Sequence, residues 1–570
     1  MKDKNIKLVQ LSTEYEKALD KVPFYEYPRP QLKRESYLCL NGYWNFTILG
    51  QKGESKFNGQ ILVPFVPESH ISGVFKEIDK DDLLIYERKF ELEENFIKDK
   101  VFLHIGACDQ YAEVFINGAK VFENVGVLPF SFDVKDYVKR GENSIKIIAK
   151  DPLNTDIPYG KQTFKRGGMW YTKISGIWQT VWLESVPENY IEKIKIAPDL
   201  KGVDITVIGG ETDKVILLQS KEYPFCGEKI RIDLENPILW SPENPRLYEF
   251  ELISGKDKVS SYLGLRTISI GERLGNPTIL LNGKPYFFHA LLDQGYYSDG
   301  IYLPATSQGF IDDILTMKKC GFNTLRKHIK YEPDLFYYYC DKYGMLVFQD
   351  MINSGKYSFI IDTALPTVFL KKGVTHRASK FRKEQFEKTC KGILDGLYNH
   401  PSVVYYTIFN EGWGQFDTEK YYKLLKEYDN TRIYDSTSGW FKKPCTDVES
   451  DHVYFKPVRI RKIKDKPWVL SEFGGYSCKV KGHSFNLDKT YGYKFFDDVK
   501  KFENALVELY EKEIIPAIEK GLSASVLTQV SDIEDETNGL LTYDRKVLKV
   551  NPERLCSLAE KLQEAINEKQ

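Results

Sequence analysis

The sequence predicts a multidomain protein in which two β-sandwiches precede a carboxyl-terminal (β/α)8 TIM barrel. The length of 570 residues exceeds what one hydrophobic core organises, and about 150 residues per domain allows three or four domains. The first half of the chain alternates short strand-like stretches with turns, whereas the second half alternates short apolar runs with amphipathic helical stretches. These observations indicate an all-β part followed by an α/β part.

The all-β part divides into two sandwiches. From about residue 35 to 185, alternating strand patterns are separated by turn signals, and Asn117-Gly118 is typical of a tight hairpin turn. The same texture from about 187 to 270 has the length of a small immunoglobulin-like sandwich. We therefore predict domains at residues 1–186, 187–272 and 273–570.

The α/β part contains eight apolar runs, the number of strands in a (β/α)8 barrel. Strict alternation of strand and helix favours a parallel sheet wrapped by helices. Only about a dozen residues separate the fifth, sixth and seventh runs, so we expect short or irregular crossovers there. The runs lie at 286–292, 322–326, 345–350, 402–410, 431–438, 450–455, 466–473 and 522–529.

Composition and simple motifs exclude several classes of partner. Lys plus Arg total 80 against 81 acidic residues, so no charge excess indicates a nucleic acid or an anionic membrane as the partner. Residues 1–22 lack the apolar core of a secretory signal, and no stretch of 18 apolar residues occurs, which predicts a cytoplasmic protein. The nine cysteines form no CxxC pair, and no glycine-rich phosphate loop or metal-ligand spacing is present. We therefore expect no cofactor and no metal.

Two glutamates stand where a barrel carries its chemistry, directly after strands. Glu411 follows the fourth run and Glu472 follows the apolar part of the seventh, each next to aromatic residues and glycine. Breaking a glycosidic bond requires one acid to protonate the leaving oxygen and one carboxylate on the other face of the sugar. A separation of about 5 to 5.5 Å would mean retention of configuration, and about 6.5 to 9.5 Å inversion. The structural alternative for each of these glutamates is a surface loop residue or a carboxylate at the start of a helix.

Longer motifs carry a family resemblance that runs nearly end to end. The segments are 27–46, 166–184, 322–328, 399–414 (NHPSVVYYTIFNEGWG) and 469–475 (VLSEFGG). On these segments the chain resembles family 2 of the glycoside hydrolases, the group of β-galactosidases, β-glucuronidases and β-mannosidases. The resemblance implies that the first sandwich is a jelly roll, the second immunoglobulin-like and the barrel catalytic.

The resemblance also implies roles for four residues. Glu411 matches the general acid/base of the family and Glu472 its nucleophile, so the implied mechanism retains configuration. Asn410 matches the residue that bonds the sugar 2-hydroxyl. Arg326 matches an arginine beside the nucleophile, where a fixed cation would hold Glu472 ionised; a structural ion pair is its other interpretation.

Two groups of polar residues at strand ends have both functional and structural interpretations. His328, His452 and Tyr454 match positions that touch sugar hydroxyls or steady the nucleophile, although a lone histidine commonly has only a structural role. Asp293 and Asp350 close the first and third runs, where they would accept hydrogen bonds from hydroxyls or cap the next segment.

Two tryptophans are candidate stacking platforms for a sugar or leaving group. Trp413 lies just beyond Glu411, and Trp440 follows the fifth run. Packing in a core is the alternative for both. The long turn-rich loop at 151–162 is expected to reach over the barrel mouth from the first sandwich.

The chain departs from the family pattern in ways that bear on the substrate. The first strand leads into HALLDQGYYSDG rather than the usual histidine-bearing loop, and LRKHIK is one residue tighter than the common arginine-to-histidine spacing, which puts the role of His328 in doubt. After the eighth run, LTQVSDIEDETNGLLTYDRK lacks the frequent strand-end tryptophan and the Asn-x-Lys-Gly element that grips a uronic acid carboxylate in β-glucuronidases. This argues against glucuronides, although another lysine or arginine could substitute.

The predicted function is a retaining exo-β-glycosidase acting on a small glycoside or oligosaccharide, with β-galactoside as the first choice. β-Glucuronidase, β-glucosidase, β-mannosidase and α-L-arabinopyranosidase remain compatible with the same glutamates. A noncatalytic carbohydrate-binding protein of the same fold is the alternative from a different class. The family also makes a homo-oligomer plausible.

Overall fold

The computed structural model describes residues 7–364, 375–460 and 465–567, which form two β-sandwiches and a barrel. The predicted fold class is confirmed. The outermost residues of the predicted first and third domains, 1–6 and 568–570, lie outside the described residues. The domain boundaries themselves stay a prediction.

The first sandwich packs a four-stranded sheet against a six-stranded sheet around a core that includes Trp44, Phe46 and Tyr86. Strand Gly42–Leu49 alternates buried and outward residues, as a sheet with one packed face requires. The hairpin at Asn117-Gly118 is confirmed, since both residues have positive φ between two paired strands. The first sheet contains Tyr37–Cys39, Val181–Val186, Lys100–Ile105 and Phe130–Asp133, and the second contains Ser55–Val63, Gly42–Leu49, Leu83–Leu92, Gly141–Lys150, Tyr111–Ile116 and Ala119–Val125.

Two short pairs extend this domain towards the barrel. Cys108–Asp109 pairs with Gly176–Ile177, and Gln162–Thr163 pairs in parallel with Tyr171–Thr172. The second pair closes a loop, residues 164–170, whose base is held by the pairing of these two short strands. This gives the end of the 151–162 segment a fixed position.

The second sandwich is smaller and has three-stranded and four-stranded sheets. Its core consists mainly of β-branched and leucine side chains, as expected for half-buried strands. Fully buried Trp240 donates its indole N–H to the carbonyl oxygen of Asp341 in the barrel, 2.8 Å away. The sheets contain Ile191–Pro198, Gly202–Gly209 and Lys229–Asp233, and Lys221–Cys226, Asp213–Leu218, Tyr248–Ser254 and Asp257–Leu263.

Eight parallel strands, here called β1 to β8, form the barrel, and all eight predicted runs contribute one. β4 is buried along its whole length, since parallel strands covered by helices face no water on either side. The strands are β1 (Phe288–Asp293), β2 (Thr324–Lys327), β3 (Leu346–Asp350), β4 (Val403–Phe409), β5 (Ile433–Thr437), β6 (Glu449–Val453), β7 (Trp468–Gly474) and β8 (Leu522–Thr528).

The barrel is nearly closed, with a seam between β5 and β6, which do not pair as strands. Their crossover, residues 438–448, contains no helix, as the short spacing predicts. A hydrogen bond to a side chain crosses the seam instead of strand pairing. The backbone N–H of Gly439, after β5, donates to Oγ of Ser450 in β6 at 3.3 Å.

Helices cover the outside of the barrel. In the described ranges they are α1 (Gln308–Lys319), α2 (Asp334–Tyr343), α3 (Lys380–Leu397), α4 (Thr418–Tyr428), α5 (Val499–Leu509), α6 (Ile515–Glu519) and α7 (Pro552–Asn567). A three-stranded sheet, Ile268–Arg273, Asn276–Leu281 and Lys284–Pro285, leads into β1, and Tyr476–Cys478 pairs with Lys494–Phe496 after β7. Short 3-10 helices lie at Glu14–Ala18, Pro30–Leu32, His70–Ser72 and Asn410–Gly412, and π-helical turns at Phe359–Ala364 and Tyr510–Ile514. Among the described residues, we find no helix with the length and apolar character needed to traverse a bilayer.

Candidate active site

The two predicted catalytic glutamates face each other at the carboxyl-terminal mouth of the barrel. β4 ends at Phe409, and Glu411 follows in a one-turn 3-10 helix with φ 51° and ψ 22°, a left-handed conformation that is uncommon outside glycine. Glu472 lies within β7 itself. One carboxylate oxygen from each glutamate and one ring nitrogen of His452 all lie within 4.8 Å of one another.

This trio also has the donor set and spacing of a possible metal site. A second such group, Glu16, His70 and Asp299, lies where the amino-terminal segment meets the first sandwich and the barrel. Thr13 donates to Asp299 from both its backbone N–H and its hydroxyl, so the aspartate already has structural partners. The expectation of no metal stays a prediction.

Arg326, at the end of β2, organises the site with a fully buried guanidinium whose five N–H groups are all used. Nη1 donates to Glu472 Oε1 at 3.0 Å and to the Ser471 carbonyl at 2.8 Å. Nη2 donates to Asn410 Oδ1 at 2.8 Å and to Ser438 Oγ at 3.2 Å, and Nε donates to Asp350 Oδ1 at 3.0 Å. One side chain thereby sets the relative positions of strands β2, β3, β4 and β7.

Asn410 is held by its carbonyl oxygen, which leaves its amide N–H groups to the cleft. Oδ1 accepts from Arg326 and from the Ser438 hydroxyl at 3.0 Å, and both donors require an oxygen rather than a nitrogen at that position. Within the part of the chain that the structure describes, Nδ2 has no hydrogen-bond partner. Ser438 also accepts the backbone N–H of Glu411 at 3.2 Å, which supports its left-handed conformation.

The Glu472 carboxylate is surrounded by donors and positive charge. Tyr454 donates its hydroxyl to Oε2 at 2.5 Å, and His452 Nδ1 lies 3.5 Å from the same oxygen and 3.0 Å from Glu411 Oε1. Burial by itself raises the pKa of Glu472, but the charges of His452 and Arg326 outweigh it and hold this pKa well below its ordinary value. Glu472 is therefore ionised at neutral pH.

His328 and Asp350 form a buried pair behind Arg326. The side chain of Asp350 is fully buried, and its second oxygen accepts from His328 Nδ1 at 2.8 Å. Burial opposes ionisation of Asp350, but Arg326 and His328 lower its pKa. Both oxygens of Asp350 are thus engaged by protein donors, which orients Arg326 and His328.

Asp293, at the end of β1, engages a buried lysine and the next segment. Its Oδ2 accepts from Lys327 Nζ at 2.6 Å, and its Oδ1 accepts the backbone N–H of Gly295 at 2.9 Å. Lys327 also contacts Glu332 at 2.9 Å. This geometry matches the capping interpretation of Asp293.

The two candidate stacking tryptophans differ in exposure and in the residues they contact. Trp413 is 4% exposed and packs edge-on against Tyr159 and Trp170, with ring centroids 5.6 and 5.2 Å apart. Trp440 is half-buried and lies edge-on to His452 at 5.7 Å. Only Trp440 therefore keeps a substantial exposed surface for stacking.

The first sandwich supplies part of the barrel mouth, as the long loop at 151–162 predicts. Tyr159 donates two hydrogen bonds to the segment after β3. Its backbone N–H donates to the Asn353 carbonyl at 3.0 Å, and its hydroxyl donates to the Gly355 carbonyl at 2.9 Å. Trp170 packs against Tyr357 at 4.9 Å. The loop prediction is confirmed by these contacts.

Three residues of the site escaped sequence reasoning. Ser438 was included only as the end of an apolar run, and the following Gly439 was the available signal for a strand-end loop. Lys161 lies near the end of the predicted loop at 151–162, but no sequence motif around it indicates that its side chain faces the site. Glu536 lies in the segment after β8, whose sequence indicated only which elements of the family pattern are missing.

Comparison with known proteins identifies the class. Three family models match consecutive parts of the chain: Glycosyl hydrolases family 2, sugar binding domain at residues 77–187, Glycosyl hydrolases family 2 at 185–266, and Glycosyl hydrolases family 2, TIM barrel domain at 273–548. The chain belongs to family 2 of the glycoside hydrolases.

Individual relatives are distant and carry different names. A β-galactosidase of Priestia megaterium is 21% identical over 462 residues, 73% of this chain and 43% of that protein. A β-galactosidase of Thermoanaerobacter pseudethanolicus is 23% identical over 475 residues, 76% of this chain and 59% of that protein. The chain thus spans about half the length of these relatives.

Solved structures share the fold over nearly the whole chain. A β-D-glucuronidase of Dictyoglomus thermophilum gives a TM-score of 0.72 at 18% identity, covering 95% of this chain and 99% of that one. A β-galacturonidase of Eisenbergiella tayi bound to galacturonate gives 0.69 at 20% identity, covering 94% and 99%. At this identity the likeness concerns the fold alone.

Proposed function

We propose that the protein is a retaining exo-β-glycosidase with Glu411 as general acid/base and Glu472 as nucleophile. The observation that carries this proposal is the close approach of the two carboxylates, whose oxygens come within 4.8 Å around His452. An inverting enzyme needs about 6.5 to 9.5 Å between carboxyl groups to admit a water molecule, whereas a nucleophile needs about 5 to 5.5 Å.

In the first step, Glu472 attacks the anomeric carbon while Glu411 gives its proton to the glycosidic oxygen. The carbon–oxygen bond to the leaving group breaks, the leaving group departs as an alcohol, and an ester bond joins the sugar to Glu472. The cations around Glu472 support its role as nucleophile because they lower its pKa. Its carboxylate is therefore ionised and can attack without first losing a proton. The free N–H groups of Asn410 are available to the sugar 2-hydroxyl.

In the second step, Glu411 takes a proton from water, which attacks the same carbon and releases Glu472. Two displacements return the sugar in its original β configuration. Formation of the ester removes the negative charge of Glu472, which favours the ionised form of nearby Glu411 and suits its change from acid to base. His452 lies within contact distance of both carboxylates.

Exo action and a β-galactoside substrate are the favoured details. The loop from the first sandwich packs over one side of the mouth through Tyr159 and Trp170, which favours a pocket for a terminal sugar over an open groove. The names of the sequence relatives support galactoside, while the names of the structural neighbours keep β-glucuronide and β-galacturonide as alternatives.

The test is hydrolysis of nitrophenyl glycosides by the native protein and by Glu411→Ala and Glu472→Ala, with azide as an added nucleophile. Loss of general acid/base catalysis costs about 10² to 10⁴ in rate. In Glu472→Ala, azide should replace the nucleophile and give an α-glycosyl azide. In Glu411→Ala, azide should attack the ester intermediate and give the β-glycosyl azide.

The matched control is Glu427→Ala, which removes an exposed glutamate of α4 and should leave the rates unchanged. Unchanged hydrolysis in both active-site variants would refute the mechanism. Binding of a sugar without any turnover would instead favour the noncatalytic carbohydrate-binding alternative.

A further inference from the structure

Lys161 belongs to the loop by which the first sandwich contacts the barrel, and it lies between the segments that follow β2 and β8. Its carbonyl accepts the backbone N–H of Tyr171 at 3.1 Å, and Gly160 before it touches the segment after His328, since a Cβ there would lie 2.9 Å from the Ile329 carbonyl. The ammonium lies 5.9 Å from the centre of the Tyr171 ring. The backbone of this lysine is therefore fixed on both sides.

The Lys161 ammonium has no ion pair or hydrogen bond among the described residues, although it is half-buried. Its charge acts on the site nonetheless. Burial raises the pKa of Glu472, and the Lys161 charge helps to lower it, after the larger effects of His452, Arg326 and His328. Burial lowers the pKa of His328, and the Lys161 charge lowers it further. A half-buried cation whose charge acts on the nucleophile, and which has no protein partner among the described residues, is a ready donor for a ligand.

Glu536 lies on the other side of Tyr171, in the segment after β8. The Tyr171 hydroxyl donates to its Oε2, and Gln529 and Asn538 approach its carboxylate at 3.4 Å. Glu536 is 3% exposed, and buried Asn538 Oδ1 has no partner in the described structure. Burial raises the pKa of Glu536, and the Lys161 charge opposes this rise. No ion pair to Glu536 exists among the described residues.

We propose that Lys161 and Glu536 form the hydroxyl-binding side of the glycone pocket and select an uncharged sugar over a uronic acid. This inference rests on the glycosidase function proposed above. Lys161 donates to one sugar hydroxyl and Glu536 accepts from another. Lys161 thereby gains a partner that the described residues do not supply, and Glu536 gains a donor in addition to its protein donors. Neither residue has been assigned a role by sequence.

Charge balance decides between the two kinds of sugar. Lys161 is the cation of this side of the pocket, and Glu536 already offsets it. A sugar carboxylate at Lys161 would add a negative charge beside Glu536 and near Glu472, in a site where burial already disfavours the ionised form of Glu536. A hydroxyl at the same place adds no charge.

The experiment compares matched substrates that differ only at C6: nitrophenyl β-galactoside against β-galacturonide, and β-glucoside against β-glucuronide. The native protein should prefer the neutral member of the better pair at least 10-fold in kcat/KM. Lys161→Met and Glu536→Gln should each lose about 10- to 100-fold on that substrate, as expected for a hydrogen bond to a charged group. The control Lys165→Met removes an exposed lysine of the same segment and should change nothing.

Deoxy substrates separate sugar contact from a structural effect. On the 4-deoxy or 6-deoxy galactoside that lacks the contacted hydroxyl, the penalty of Lys161→Met should disappear, whereas a purely structural role would penalise all substrates equally. Lys161→Arg keeps the charge and should retain more activity than Lys161→Met. Equal melting temperatures would exclude misfolding as the cause.

Preference for the uronide, or full activity of Lys161→Met on the neutral sugar, would overturn the inference while leaving the proposed glycosidase intact. Absence of all turnover would instead defeat the proposed function. In that case calorimetry decides the inference: galactose binding that Lys161→Met abolishes would support it. Binding of galacturonate, no binding of either sugar, or binding independent of Lys161 would overturn it.

Discussion

At the scale of single residues, the site depends on a guanidinium that no other side chain can imitate. Arg326 donates to five acceptors, which lie on β3, on β7 and in the segments directly after β4 and β5; Glu472, Asn410 and Asp350 are among them. Lysine would keep the charge, but it offers three donors from one atom rather than a planar fork. The orientation of the site therefore depends on shape as well as charge.

We expect Arg326→Lys to lower kcat/KM at least 10-fold and to reduce the free energy of unfolding by about 3 kcal/mol, because buried carboxylates lose their partners. Urea unfolding and steady-state kinetics measure the two effects. Arg140→Lys is the control, since Arg140 pairs with Glu94 at the exposed surface. An Arg326→Lys variant with native activity would contradict this view of the site.

The pH dependence of activity should follow the carboxylate of Glu472. Its folded pKa is lowered, so its contribution to stability is present above the unfolded pKa of about 4.3 and is lost as pH falls through the folded value. The acid limb of kcat/KM should accordingly lie below pH ~4.3.

Tyr454→Phe should move that acid limb upward, because it removes a hydroxyl that donates to the ionised form of Glu472 at 2.5 Å. A pH profile of kcat/KM for both proteins is the measurement. Tyr43→Phe, at an exposed tyrosine of the first sandwich, is the control. Coincident acid limbs for Tyr454→Phe and the native protein would show that this hydroxyl does not tune Glu472.

At the scale of elements, the loop from the first sandwich must pass very close to the barrel. Gly160 has φ +66°, and a Cβ there would approach the Ile329 carbonyl to 2.9 Å. Gly118, in the hairpin, also has positive φ, +87°, but has open space around it. Substitutions at the two glycines can therefore distinguish the effect of backbone strain from the effect of a close contact between domains.

We expect Gly160→Ala to lower kcat/KM several-fold, because the added methyl group pushes Lys161 and Tyr159 away from the mouth. Gly118→Ala should cost about 1 to 2 kcal/mol of stability, as the left-handed backbone requires, with no change in activity. Kinetics and thermal unfolding of both variants provide the test. Equal activity of both variants would show that the loop tolerates displacement.

At the scale of the whole molecule, a buried ion network joins the amino-terminal segment to both sandwiches. Arg34 is 3% exposed at its side chain and donates to Glu184 at 3.1 Å and to both oxygens of Asp257 at 2.8 and 2.9 Å. Glu184 belongs to the first sandwich and Asp257 to the second. The network fixes the platform from which the loop reaches the barrel.

We expect Arg34→Met to reduce the free energy of unfolding by about 3 kcal/mol, since it leaves two buried carboxylates short of a partner. Lys89→Met breaks an exposed pair with Glu142 and should change stability by less than about 0.5 kcal/mol. Chemical unfolding measures both. A small effect at Arg34 would indicate that Arg29, which also contacts Glu184 at 3.0 Å, suffices.

The sequence by itself determined the order of the two sandwiches and the barrel, because strand alternation, hairpin turns and apolar runs are local patterns. It also predicted that Glu411 and Glu472 lie near the carboxyl ends of β4 and β7, since a barrel gathers those ends at one mouth; Glu411 follows β4, and Glu472 lies in the last part of β7. The tertiary structure decided which side chains and which strands contact one another. Asp350 bonds Arg326 and His328, and β5 and β6 meet at a seam bridged by side chains, because closure depends on the whole ring.

The side of the pocket formed by Lys161 and Glu536 lay beyond sequence reasoning for the same physical reason. The hydroxyl of Tyr171 donates a hydrogen bond to Glu536, and the two residues are 365 positions apart in the sequence. No local sequence pattern encodes a contact between residues so far apart. Only the docking of the first sandwich on the barrel mouth brings the two charges together. In the proposal made above, the choice of sugar thus depends on packing between domains, whereas the residues proposed for bond cleavage can be predicted from the strand ends.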